Sequence, residues 1–122
     1  MAKKILVVDD EEDYRLLLSR VLGKAGYAVV TAGSGAEGLA RFAAERPDLV
    51  LLDANLPDAD GFEVCRRLRA EPRGDTPILF CTVRSSLRRV REGLKSGGND
   101  YVLKPLLVED LLARVQAALR AR

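Results

Sequence analysis

Histidine is absent from the 122 residues, which excludes a histidine general base, an imidazole zinc ligand and a phosphohistidine on this chain. Cysteine is scarce. Cys65 and Cys81 are too few for a four-thiolate metal site, and their apolar neighbours suit buried, unreactive thiols in a reducing cytosol. No apolar run is long enough to span a membrane, and the start, Met1-Ala2-Lys3-Lys4 before only Ile5 to Val8, is too short for a signal peptide. The loop Gly-x-x-x-x-Gly-Lys-Ser/Thr, the common nucleoside-triphosphate cradle, is missing. Internal repeats, low-complexity tracts and linkers are missing too. The net charge is only +2, which gives no ground for nucleic acid or an anionic membrane as a partner.

What is present is an ordinary globular composition, 48% apolar and 31% charged. A chain of this length buries about two thirds of its unfolded surface without disulfide or metal staples. The expectation is one soluble cytoplasmic domain over residues 1–122. The small total charge hides an asymmetry: residues 1–63 hold seven basic and twelve acidic side chains, residues 64–122 thirteen and six.

Short apolar runs recur at Ile5–Val8, Ala28–Val30, Leu49–Leu52, Ile78–Cys81 and Tyr101–Leu103. Their lack of alternation suits strands covered on both faces. Helical periods lie between them. Tyr14, Leu17, Leu18, Val21, Leu22 and Ala25 make one stripe, Ala36, Leu39, Ala40 and Ala43 a weaker one, and Val108, Leu111, Leu112, Val115 and Leu119 a third. Helices are also expected around Phe62–Glu71 and Ser86–Ser96. The prolines, Pro47, Pro57, Pro72, Pro77 and Pro105, all fall at element ends or in loops. Five strand–helix units imply an α/β fold, a doubly wound parallel sheet with right-handed crossovers.

Ligands in such sheets bind beyond the carboxyl ends of the strands, where strand order reverses. Strand one runs into Asp9 and Asp10, strand three into Asp53, strand four into Thr82 and strand five into Lys104. If the order is 2-1-3-4-5, the three carboxylates converge. Crowded carboxylates repel, so one is protonated or a cation sits among them, and an oxygen-only cluster favours magnesium. Lys104 supplies a point charge for a phosphate oxygen and Thr82 a hydroxyl donor. A carboxylate nucleophile, a metal, a lysine and a hydroxyl suit phosphoryl transfer onto aspartate.

Four segments carry a family resemblance: Lys4-Ile-Leu-Val-Val-Asp-Asp-Glu-Glu12, Asp48-Leu-Val-Leu-Leu-Asp-Ala-Asn-Leu-Pro-Asp-Ala-Asp-Gly61, Pro77-Ile-Leu-Phe-Cys-Thr82 and Asn99-Asp-Tyr-Val-Leu-Lys-Pro105. In this order and spacing the chain resembles the receiver domain of two-component response regulators, of the chemotaxis-regulator-like single-domain type. The resemblance implies a flavodoxin-like sheet of order 2-1-3-4-5, which is therefore partly borrowed from it. It also implies a phosphorelay switch rather than an enzyme, one that promotes its own aspartyl phosphorylation and dephosphorylation. Asp53 would accept phosphoryl from the histidine of a sensor kinase or phosphotransfer protein. Asp10, Asp53 and the Asn55 backbone carbonyl would hold Mg2+, with Asp9 acting through water. Lys104 and Thr82 would contact the phosphoryl group, and Thr82 and Tyr101 would move together as a switch. The readout would be a changed face on helix four, strand five and helix five, open to a downstream target or to a homodimer.

The chain departs from that pattern at Val83, where a small residue is usual and a branched one threatens to crowd the pocket. Gly97-Gly98-Asn99 stands for a common Gly-Ala-Asp, and Arg84 occupies a position linked to the lifetime of the phosphorylated state. Three alternatives follow: a docking module that keeps the fold without switching, a fragment of a larger regulator or hybrid kinase, and a dinucleotide site at Gly33–Gly38, which formally satisfies Gly-x-Gly-x-x-Gly. The last is disfavoured, because strand two would lie at the sheet's edge, far from the switch point. Arg84, Arg88, Arg89, Arg91 and Lys95 lack the interleaved aromatics of a nucleic-acid surface; a solvated helix or a docking face for an acidic partner fits them better.

Overall fold

In the computed structural model, residues 2–121 are described. Five strands alternate with five helices: β1 Lys4–Val8, α1 Glu12–Lys24, β2 Ala28–Ala32, α2 Gly35–Glu45, β3 Leu49–Asp53, α3 Gly61–Arg69, β4 Ile78–Val83, α4 Leu87–Gly93, β5 Asp100–Lys104 and α5 Val108–Arg120. The five strands pair in parallel in the order β2-β1-β3-β4-β5. The expected doubly wound sheet is therefore observed.

The apolar strands divide residue by residue between two cores, as a pleat requires. Leu6, Val8, Val50, Leu52, Ile78 and Phe80 point to one face, packing with Phe42 of α2, Phe62, Val64 and Leu68 of α3 and Val90 of α4. Ile5, Val7, Leu49, Leu51, Leu79, Cys81 and Val102 point to the other, against Leu18 and Leu22 of α1 and Leu111 and Val115 of α5. Each fully buried Leu, Ile or Phe contributes about 1.5–3 kcal/mol relative to exposure. Both cysteines are free and buried, and burial pushes the Cys81 thiol up to about 12, which keeps it protonated and inert.

Several helix expectations need correction. Of the α2 stripe only Leu39 packs, half-buried, on the core, while Ala36, Ala40 and Ala43 are exposed and the buried residues are Gly35, Gly38 and Phe42. Gly38 lies so close to β1 that a Cβ there would stand 3.0 Å from Val8, a contact no count of apolar side chains registers. In α1 only Leu18 and Leu22 are buried, and Leu17 is 41% exposed. Val108 at the start of α5 is 44% exposed. Helix α3 stops at Arg69 rather than Glu71. Helix α4 is only seven residues long, and the rest of the expected span falls in tighter 3-10 turns, Ser86 in the turn Arg84–Ser86 before it and Leu94–Ser96 after it.

At the amino ends of β4 and β5, one side chain organises the connections. Arg69 donates to the carbonyls of Gly97 (2.6 and 2.9 Å), Gly74 (2.7 Å) and Thr76, and to Asn99 Oδ1 (2.8 Å). Asn99 Oδ1 also accepts from the Ile78 N–H at 2.8 Å. Gly97 has φ +121°, and a Cβ on Gly98 would stand 2.4 Å from the Phe80 ring. The glycine pair thus forms a closely fitted loop, not a slack one.

Candidate functional site

Parallel register delivers the polar strand ends to one edge. Val8 pairs with Leu52, so Asp9, one residue on, stands beside Asp53, the last residue of β3. Val83 pairs with Lys104, which places Lys104 at the same edge. Asp9, Asp10 and Asp53 each offer a carboxylate oxygen within 4.8 Å of the others. The expected convergence is present.

Charge is concentrated where water is scarce. Asp9, Asp53, Thr82 and Lys104 are all buried, while Asp10 is exposed. Lys104 Nζ lies 2.7 Å from Asp9 Oδ2, 3.3 Å from Glu11 Oε1 and 3.7 Å from Asp53 Oδ2, and 4.2 Å from the centroid of the Tyr14 ring. Burial works against the lysine charge, but the hydrogen bond to Asp9 and the charges of Asp53 and Asp9 hold its pKa above the ordinary value. Asp53 answers differently. Burial pushes its carboxyl from 3.8 up to about 6, aided by Asp9 and Asp10 and opposed by the Asn55 N–H and Lys104. One ammonium does not neutralise three carboxylates. The oxygen-only donors, two of them buried, are the chemistry that fits a hard divalent cation.

Local structure aims these groups. The Glu11 N–H donates to Asp9 Oδ1 at 2.9 Å, and the Asn55 N–H to Asp53 Oδ1 at 2.9 Å. Both turns therefore fold back over their own strand-end carboxylate and leave its second oxygen free of the backbone. Gly61, opening α3, lies directly behind Asp53; a Cβ on it would stand 2.6 Å from the Asp53 carbonyl oxygen. The Thr82 hydroxyl donates to the Val83 carbonyl at 3.2 Å, not to a carboxylate. Tyr101 pairs with Phe80 in register and packs, half-buried, on the first core; the Arg114 guanidinium stands 5.2 Å from its ring. Val83 is 43% exposed, at the end of β4.

The structure brings together Asp9, Asp10, Asp53 and Lys104. It places Thr82 at the same edge and Asn55 two residues beyond Asp53. It also shows contacts that sequence reasoning missed. Glu11 follows Asp9 and Asp10 in the sequence and Tyr14 belongs to the first apolar stripe, yet both face Lys104. Arg89 of α4 donates to Asn55 Oδ1 at 2.8 Å and to Asp60 at 3.1 Å. Asp58 accepts from the Gly35 and Ala36 N–H groups at 2.8 and 3.1 Å. This last contact bears on the dinucleotide fingerprint: β2 is an edge strand, and the amides that would cradle a phosphate already serve Asp58.

Comparisons with known proteins agree with this geometry. The family model of the response regulator receiver domain matches residues 5–116. The response regulator MprA of Mycobacterium tuberculosis is 46% identical over 120 residues, which are 98% of this chain and 52% of that protein; the chain spans about half the length of the curated relatives it matches. The chemotaxis response regulator CheY4 of Vibrio cholerae superposes with TM-score 0.90 at 35% identity, covering 97% of this chain and 99% of its own. A response regulator receiver domain protein (CheY-like) from Methanospirillum hungatei gives 0.91 at 30% identity, with 99% and 96% covered.

Proposed function

Since the chain belongs to the response regulator receiver domain family, we propose that it accepts a phosphoryl group on Asp53 from the histidine of a sensor kinase or phosphotransfer protein and passes the event on by a change of shape. The observation that carries this reading is the 3.7 Å approach of Lys104 to Asp53 inside a three-carboxylate cluster in which Asp9 and Asp53 are buried. Asp53 Oδ2 attacks phosphorus, the bond from phosphorus to the donor's imidazole nitrogen breaks, and the imidazole leaves with that electron pair. Asp53 must be ionised to attack, and a carboxyl titrating near 6 is ionised at neutral pH. Lys104 then donates to a phosphoryl oxygen. Asp10, Asp53 and the Asn55 carbonyl, with Asp9 through water, would hold Mg2+, which supplies charge neutralisation for the incoming phosphoryl oxygens.

The resulting dianion sits beside Thr82, whose hydroxyl has only the Val83 carbonyl to give up. A hydrogen bond to an ionised oxygen is roughly twice as strong as a neutral one, so the hydroxyl turns toward the phosphoryl group. Tyr101, on the neighbouring strand β5 and three residues before Lys104, takes the space released. The altered face is α4, β5 and α5, offered to a downstream protein, to a second copy or to an attached output domain.

With Mg2+ and a small phosphoryl donor, the protein acquires one acid-stable, hydroxylamine-sensitive label, and Asp53→Asn abolishes it; label retained in that variant moves the acceptor elsewhere. Beryllofluoride, a phosphoryl mimic, shifts the amide resonances of Thr82 and Tyr101. Silence at both positions would favour a docking module that does not switch.

A further inference from the structure

The contacts of Lys104 extend past the two strand-end aspartates. Glu11 and Tyr14 stand three residues apart at the start of α1, so both side chains lie over one spot. That spot is the Lys104 ammonium, 3.3 Å from Glu11 Oε1 and 4.2 Å from the Tyr14 ring centroid. A cation over an aromatic face is attracted by the ring's quadrupole, most strongly where water is excluded, and the Lys104 side chain is only 6% exposed. The ammonium is thus shared between two sets of partners: Asp9 and Asp53 on the carboxylate side, Glu11 and Tyr14 on the helix side.

This division matters because the carboxylates have two claimants. A divalent cation held by Asp10 and Asp53, with Asp9 reached through water, would draw on the same carboxylates that Lys104 Nζ approaches at 2.7 Å (Asp9 Oδ2) and 3.7 Å (Asp53 Oδ2), and two positive charges this close repel. Lys104 cannot simply leave, since it has to stay beside Asp53 to meet the phosphoryl group. Resting on the proposed metal-assisted phosphoryl transfer, we propose that the Tyr14 ring and the Glu11 carboxylate form a second seat for the Lys104 ammonium, keeping it next to Asp53 when a divalent cation takes the aspartates. Tyr14 is then a positioning residue that acts through Lys104 and tunes the affinity for the cation.

Calorimetric titration of the unphosphorylated protein with Mg2+ tests this without any phosphorylation step. Tyr14→Leu deprives the ammonium of its ring, Lys104 stays on Asp9, and Mg2+ affinity falls by about fivefold. Tyr14→Phe keeps the ring and binds Mg2+ as the unaltered protein does, which separates the seat from any role of the hydroxyl. In a Lys104→Met background, where no ammonium competes, Tyr14→Leu leaves Mg2+ affinity unchanged. Melting curves in chelator identify any variant that is merely unfolded. The proposal is overturned if Tyr14→Leu binds Mg2+ like the unaltered protein, if Phe and Leu act alike, or if the Leu effect persists without Lys104. Absence of Mg2+ binding by the unaltered protein would overturn the metal reading and this inference together, whereas normal binding and labelling with indifferent Tyr14 variants would remove this inference alone.

Discussion

The two ends of the sheet each keep charge out of water, and they do so by opposite means. At the amino ends of β4 and β5, the Arg69 guanidinium spends its donors on the carbonyls of Gly97, Gly74 and Thr76 and on Asn99. Every acceptor is neutral, fixed by the backbone or by Asn99, and the arrangement is complete as it stands. At the carboxyl ends, three carboxylates face one ammonium, and burial has pushed Asp53 up to about 6. One cluster is satisfied and belongs to stability. The other is unbalanced without a further cation, and strain of that kind collects at functional sites.

Three measurements put the contrast to the test. Arg69→Ala should have the largest effect, a loss of about 3 kcal/mol, since several half-buried carbonyls lose a charged donor at once. Chemical denaturation measures it, and the loss should be the same at pH 5 and pH 8. A loss that varies with pH would place Arg69 in an electrostatic network rather than a backbone one.

Asp53→Asn should act in the opposite direction and only over part of the pH range. The folded pKa of about 6 lies above the unfolded value of 3.8. The protonated form is therefore favoured by folding, and the advantage is complete below pH 3.8 and lost as pH rises through 6. Without metal, the neutral variant should be more stable than the unaltered protein by on the order of 2 kcal/mol at pH 7.5, with the difference vanishing below pH 4. Equal melting of the two proteins at pH 7.5 in chelator would show that burial of the Asp53 carboxylate carries no such cost. The smallest effect comes from Mg2+, which should add about 1.4 kcal/mol at ten times its dissociation constant. Arg69→Ala should retain that increment and Asp53→Asn should lose most of it, so that an equal increment in both would merge the two ends of the sheet in function.

The sheet and its edge were legible because the strand signal and the polar strand ends are both local. Asp53 after four apolar residues and Lys104 before Pro105 need only the parallel register to meet. Contacts made by absent atoms were not legible: α2 buries Gly35 and Gly38, and a periodicity count that rewards side chains selected the alanines beside them. Leu17 and Val108 kept the helical period but lie where neither core reaches. Helix α4 lost its ends to 3-10 turns because Val90 is its one buried residue, too little packing to impose a full helix. Glu11 and Tyr14 escaped notice for another reason. Their partner lies 93 residues away for Glu11, and nothing in the first turn of α1 advertises an ammonium from the far end of the chain.

Gly61 leaves Asp53 no slack. With the Asp53 carbonyl only 2.6 Å from where a first side-chain carbon would go, Asp53 and the opening of α3 share a wall with no thickness to spare. A lone methyl there must shove the peptide that aims the carboxylate, so Gly61→Ala is expected to spoil phosphoryl acceptance more than it spoils folding. Behind the Asp53 carboxylate, even the smallest addition of volume falls on the peptide that aims it.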